Sequence, residues 1–186
     1  MLVARLGTDI YAAHQIGINL LTICFSVGDG LSVAVLTLIG QSLGEKAPEK
    51  AKSYLNICQK MGLCFSISFS IIFLFGGRFI FTIFFDESAI IENGVMISHL
   101  IALIIFPQIV QVIYIACLRS AGDTKYTALL SFISITIVRP SLGFLFCYVL
   151  RGGLLGAWIA ILCEQSCRLL LSWWRVRHSN WTSLQI

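Results

Sequence analysis

Five long apolar stretches, separated by short polar segments, make up most of this 186-residue chain. They cover approximately residues 16–39, 61–84, 95–118, 126–150 and 154–174. A helix needs about 20 mostly apolar residues to cross the ~30 Å hydrocarbon core of a bilayer. Each stretch has that length, so the pattern predicts an all-α, multi-pass integral membrane protein with five complete transmembrane helices.

The composition supports a membrane protein and excludes several other classes. Hydrophobic residues make up 58% of the chain and charged residues only 12%, which is too much apolar surface for a water-soluble core. The net charge of +4 is scattered, which argues against a nucleic-acid partner. No nucleotide-binding, zinc or nucleophile-elbow motif occurs, so we expect no cofactor, no metal site and no enzymatic activity.

Basic residues in the segments between the stretches predict the orientation. Lys46, Lys50, Lys52, Arg119, Lys125, Arg175 and Arg177 fall on one side, and Arg5, Arg78 and Arg151 on the other. The positive-inside rule makes the first side cytoplasmic, with residues 175–186 as a basic cytoplasmic tail. The N-terminus would then lie outside without an export signal, so residues 1–13 read as the stub of a preceding helix. The alternative is a naturally short protein with an outside N-terminus.

One carboxylate falls near the middle of the first stretch. Asp29 lies between Gly28 and Gly30, and a charge at that depth costs several kcal/mol unless it is paired, protonated or hydrated. We therefore expect Asp29 to contact an ion or a substrate, with the two glycines loosening the helix around it. The alternative is that Asp29 lies closer to a membrane interface.

Prolines and a further arginine interrupt the third and fourth stretches. Pro107 and Pro140 each remove a helical hydrogen bond and predict a break or kink. Arg139, beside Pro140, requires an anionic or carbonyl partner, and Asp29 is one candidate.

Two helical patterns of polar residues remain. Glu164 and Arg168 are four residues apart, in the order that favours an ion pair on one helix face, and we expect a structural role. Gln108, Gln111 and Tyr114 follow one another at intervals of three along one face. Such a stripe either lines a path for an ion or substrate or holds helices together, and packing is favoured.

Three short segments carry a family resemblance: AAHQI at 12–16, GQSLG at 40–44 and LRSAGDT at 118–124. In this order, with apolar helices between and after them, they resemble the multidrug and toxic compound extrusion (MATE) family of cation-coupled antiporters. The resemblance covers nearly the whole chain and corresponds to the second half of such a transporter. It implies that residues 1–174 form a C-terminal lobe, from the end of helix seven to helix twelve of a two-lobed, twelve-helix protein.

The resemblance implies export of amphipathic, often cationic small molecules across the plasma membrane in exchange for protons or sodium ions. The lobes would alternate around a central cavity, so this truncated half would need the missing N-terminal lobe as well as membrane lipids. The sodium-coupled branch has an aspartate where this chain has Gln108, which makes the pattern closer to the DinF-like branch.

The sequence leaves three alternatives open. A lipid-linked oligosaccharide flippase of the same superfamily would need a more cationic cavity than Arg139 alone supplies. The chain could also be an inactive fragment. A membrane-embedded enzyme is disfavoured, because the potentially catalytic side chains are predicted to lie far apart.

Overall fold

Five long helices account for almost all of residues 8–182, the part of the chain that the computed structural model describes. They are α1 (Thr8–Gly44), α2 (Pro48–Phe84), α3 (Ser88–Ser120), α4 (Thr124–Val149) and α5 (Gly153–His178), and there is no strand in this range. All five are long and apolar enough to cross a membrane. The predicted all-α membrane fold is confirmed, and each helix extends beyond its predicted span at one or both ends.

Helix α3 forms the centre of the bundle, because it packs against α1, α2 and α5. Its side chains are apolar on nearly all sides, as expected for a helix surrounded by others. The isoleucines of α3 form much of the core: Ile97, Ile101, Ile104, Ile105, Ile109 and Ile113. Helix α4 packs mainly against α5, so these two helices form one side of the bundle.

Small residues allow the helices to approach closely. Gly17 of α1 lies against Ile97 of α3 and Trp158 of α5. Gly77 of α2 lies against Ser98 of α3, whose hydroxyl donates a hydrogen bond of 2.6 Å to the carbonyl oxygen of Phe73. Helix pairs in membranes associate through such small-residue contacts, because lipid provides no hydrophobic driving force between them.

Replacing Gly17 with alanine should destabilise the bundle by about 1–3 kcal/mol, the usual cost of overpacking. The added Cβ would lie 2.5 Å from Cγ2 of Ile97 and 2.7 Å from Cζ2 of Trp158. Gly30 of the same helix has no neighbour within 4 Å of such an atom, so Gly30→Ala is the matched control. It should be neutral or stabilise by up to about 1 kcal/mol. Thermal unfolding in one detergent compares the variants, and a Gly17→Ala protein as stable as the control would contradict the packing described.

The helix ends differ from two expectations. Residues Thr8 to Ala13 are the first turns of α1, not the stub of a preceding helix, because this segment contains no glycine or proline and includes the strong helix formers Ala12 and Ala13. Residues 1–7 of the predicted stub lie outside the described residues. At the other end, α5 continues to His178, so Arg175 and Arg177 belong to the helix rather than to the tail.

The predicted helix breaks are mostly absent. Helix α1 is unbroken at Gly28 and Gly30, and α3 continues through Pro107. Two helical glycines cost about 1 kcal/mol each, which is less than exposing backbone polar groups at membrane depth. Only α4 is irregular, with π-helical turns at Ser134–Val138, just before Pro140, and again at Leu145–Val149. The prolines therefore do not break their helices, and the wider π turns accompany the hydrogen bond that Pro140 removes.

Candidate functional site

A charged cluster lies between α4 and α5. Glu164 is fully buried, and its Oε2 accepts a hydrogen bond of 2.8 Å from Nη2 of Arg139. Its Oε1 lies 3.6 Å from Nη1 of Arg168, a distance that allows an ion pair but is too long for a hydrogen bond. Arg168 also donates a hydrogen bond of 3.2 Å to the hydroxyl of Ser131. One carboxylate and two guanidinium groups leave this cluster with a net charge of +1.

The cluster corrects one expectation. The anionic partner of Arg139 is Glu164, not Asp29. The predicted pair of Glu164 and Arg168 exists, but the contact with Arg139 across two helices is the shorter one. Spacing along one helix reveals only the local pair, because a contact between helices depends on how they pack.

A recess of about 270 Å³ opens beside the cluster, at the junction of α1, α3, α4 and α5. We call it the arginine recess. Its walls combine apolar side chains with the two arginines and two glutamines: Ile18, Leu21, Thr22, Phe25, Gln108, Ile135, Arg139, Ile161, Gln165 and Arg168. An apolar cavity with a few convergent polar groups is the usual form of a small-molecule site.

The stripe of polar residues on α3 separates into different environments. Gln108 is 5% exposed and lines the recess, and its Oε1 has no hydrogen-bond partner. Gln111 is fully buried and donates a hydrogen bond of 3.1 Å to Oε1 of Gln165, which joins α3 to α5. Tyr114 is half-buried and does not line the arginine recess. Gln111 thus has the packing contact that the stripe predicted, whereas Gln108 is the member that faces the recess.

Asp29 lies in a second, smaller recess of about 100 Å³. Its side chain is exposed, and Arg119 and Arg168 line the same recess. Arg168 therefore lines both recesses. It contacts the buried carboxylate of Glu164 beside the arginine recess, and it shares the smaller recess with Asp29. Asp29 remains close to cationic groups, but it is not part of the cluster around Glu164.

Membrane-length helices around a recess of charged and amide side chains are typical of a polytopic membrane transport protein. The sequence profile of the MatE family matches residues 1–145, which is more than half of the chain. The chain therefore belongs to the MatE family. The match includes α1, α2 and α3 and most of α4.

Relatives with multidrug-resistance names are similar over much of the chain. A probable multidrug resistance protein NorM of Thermotoga maritima is 30% identical over 158 residues, which cover 85% of this chain and 34% of the relative. The multidrug resistance protein MdtK of Proteus mirabilis is 28% identical over 195 residues, covering 97% of this chain and 41% of the relative. The chain thus spans between about a third and two fifths of these relatives.

Solved structures share the fold. A MATE protein in complex with MaD3S superposes with a TM-score of 0.90 at 19% identity, covering 99% of this chain and 42% of that one. The MATE transporter ClbM in complex with Rb+ gives a TM-score of 0.82 at 15% identity, covering 97% of this chain and 43% of that one. All five helices, including α5, therefore have the arrangement found in MATE structures.

Proposed function

We propose that this chain forms one lobe of an antiporter that exports amphipathic small molecules in exchange for protons or sodium ions. The arginine recess is the observation that carries the proposal, because it places polar side chains among membrane-length helices where a ligand can reach them. Ionisable groups at that depth are expensive and usually functional. The multidrug-resistance names of the relatives and the Rb+ complex of one structural neighbour support drug export and cation coupling.

The lobe is proposed to be the C-terminal one of a two-lobed transporter in the plasma membrane. The order of the AAHQI, GQSLG and LRSAGDT segments supports this assignment. The other lobe would come from additional sequence or from another polypeptide. Alternating access would then result from rocking of the two lobes around the recess.

The coupling ion is proposed to bind outside the arginine recess. Glu164 is already engaged by two arginines, and Gln108 occupies the position of the aspartate in the sodium-coupled branch. This substitution supports the DinF-like assignment, a branch whose proposed coupling acids lie in the first lobe. Within this chain, Asp29 is the acid we propose for contact with an ion or with the cationic part of a substrate.

The flippase alternative gains a second arginine in the recess, Arg168, but Glu164 neutralises one of the two positive charges. The relatives have multidrug-resistance names, so drug export remains the function proposed.

The C-terminus is proposed to be cytoplasmic. The α3–α4 turn and the end of α5 lie at the same end of the bundle, since Nε of Arg175 donates a hydrogen bond of 2.8 Å to Asp123. Both segments are basic, as the positive-inside rule requires of a cytoplasmic face. A green fluorescent protein fused after Ile186 should therefore fluoresce, and alkaline phosphatase fused there should be inactive. The reverse pattern would contradict the orientation.

Efflux of a fluorescent dye tests the transport proposal. Cells would express this chain together with the first lobe of the Thermotoga maritima relative, and the dye would be ethidium. One ionophore collapses the proton gradient and another the sodium gradient. Dye efflux should stop in one of the two cases, and the gradient whose collapse stops it identifies the coupling ion. Efflux that survives the collapse of both gradients would contradict the antiporter proposal.

A further inference from the structure

We infer that the arginine recess binds a carboxylate carried by an amphipathic small molecule, through the guanidinium groups of Arg139 and Arg168. Binding itself does not depend on the proposed function, but the identification of this ligand as a transported substrate rests on it. The substrates would then include molecules that carry an anionic group, zwitterions among them, in addition to cations that contact Asp29.

The charge of the recess favours an anion. No aspartate or glutamate is among the described residues that line it, and Glu164 behind it balances only one of the two arginines. Glu164 is fully buried and the side chain of Arg168 is only 12% exposed, so part of the cluster is shielded from water, which strengthens electrostatic interactions. An incoming carboxylate would neutralise the cluster, whereas a cation would be repelled.

Some N–H donors of the cluster are also without a hydrogen-bond partner. The buried Nε atoms of Arg139 and Arg168 have no hydrogen-bond partner in the structure. Gln108 is 95% buried within the recess wall, and its Oε1 is also without a partner. Each guanidinium carries five N–H donors, of which the contacts with Glu164 and Ser131 use only some, and the Gln108 amide carries two more, so three side chains could donate to one carboxylate.

Two other polar atoms of the recess are already engaged. The hydroxyl of Thr22 donates a hydrogen bond of 2.8 Å to the carbonyl oxygen of Ile18, and Oε1 of Gln165 accepts one from Gln111. The two arginines and Gln108 therefore define the anionic end of the site.

The rest of the wall is apolar and explains why the ligand should be amphipathic. Leu21, Phe25, Ile135 and Ile161 line the recess beside the charged groups. A volume of about 270 Å³ admits part of a drug-sized molecule, with the remainder extending out of the opening. The apolar wall would contact an aromatic ring, and the arginines would donate charge-assisted hydrogen bonds to a carboxylate on that ring. An aromatic carboxylate therefore fits both parts of the recess.

A pair of dyes tests the inference directly. The probes are a rhodamine with a free carboxylate and the methyl ester of the same dye. Their binding to the full chain in phosphatidylcholine nanodiscs is followed by fluorescence anisotropy, with empty nanodiscs as background. The free acid should bind at least about tenfold more tightly than the ester, the change expected for one charge-assisted contact.

Three variants separate the site from general damage. Arg139→Gln should weaken binding of the free acid about tenfold. Arg177→Gln, on the same helix as Arg168 but exposed and outside the recess, should leave it unchanged. Glu164→Gln raises the charge of the cluster from +1 to +2 and should tighten binding several-fold, a gain that misfolding cannot produce.

The inference is overturned if the ester binds as tightly as the acid, or if Arg139→Gln leaves the affinity for the acid unchanged. It is also overturned if Glu164→Gln weakens the binding of the acid. Addition of phosphatidylglycerol to the nanodiscs distinguishes a small-molecule site from a lipid site. Displacement of the dye at equal lipid content would assign the recess to a lipid phosphate and contradict the inference. If the rhodamine acid does not bind but ethidium efflux persists, the carboxylate site is wrong and the transport proposal still holds. The two proposals can therefore fail separately.

Discussion

Replacing Glu164 with alanine should lower the free energy of unfolding by about 3 kcal/mol, at the lower end of the range for breaking a buried ion pair. The carboxylate is fully buried and contacts two arginines, so its removal leaves two positive charges without a counter-charge. The side chain of Arg139 is 42% exposed, which places the expected loss at the lower end rather than the upper. Glu164→Gln should cost less, because an amide of the same shape still accepts a hydrogen bond from Arg139.

The matched control is an ion pair of the same length on the surface. Glu49 accepts a hydrogen bond of 2.8 Å from Lys52, but both side chains are more than half exposed. Glu49→Ala should therefore cost no more than about 1 kcal/mol. Unfolding in mixed micelles of increasing sodium dodecyl sulfate content, followed by far-ultraviolet circular dichroism, compares the two variants. Equal unfolding midpoints would mean that the cluster around Glu164 does not stabilise the bundle.

Expressed without a second lobe, the chain should give no ion-driven dye efflux. Much of the outer surface consists of large apolar side chains that suit lipid, such as Phe75 and Phe79 of α2 and Phe132 of α4. Arg139 is different, because an arginine exposed at membrane depth is unfavourable next to lipid. A second lobe would cover this side, and alternating access requires two bodies that move against each other. The expected effect is therefore a complete loss rather than a reduced rate.

The apolar pattern predicted the fold well, because the length of a membrane span is determined by the thickness of the bilayer. All five spans could be identified in this way, and three short segments beside them carried the family resemblance. The first helix was predicted less accurately. Helix α1 begins at Thr8 and continues through Gly28 and Gly30, because intrahelical hydrogen bonds are worth more at membrane depth than the flexibility of two glycines.

The candidate site could be predicted only in part. Arg139, Glu164, Arg168 and Gln108 could be singled out because polar groups are unusual in apolar spans. The structure places three of them in the lining of one recess, and Glu164 contacts its two arginines. The pairing of Arg139 with Glu164 could not be predicted, since the two residues lie 25 positions apart on different helices. Periodicity placed Gln108 and Gln111 on one face, but only the packing of α3 against α5 shows which of them faces the recess.

We propose that this chain is one transport lobe and works only with a second. Ethidium efflux from cells tests it most directly, with this chain alone compared with the chain expressed together with the first lobe of the Thermotoga maritima relative. Membrane levels of the chain are matched in the two strains, and the first lobe alone is the control. We predict ion-driven efflux only when both lobes are present. Equal efflux from the chain alone would contradict the claim, and so would a correctly inserted pair of lobes that shows no efflux under either a proton or a sodium gradient.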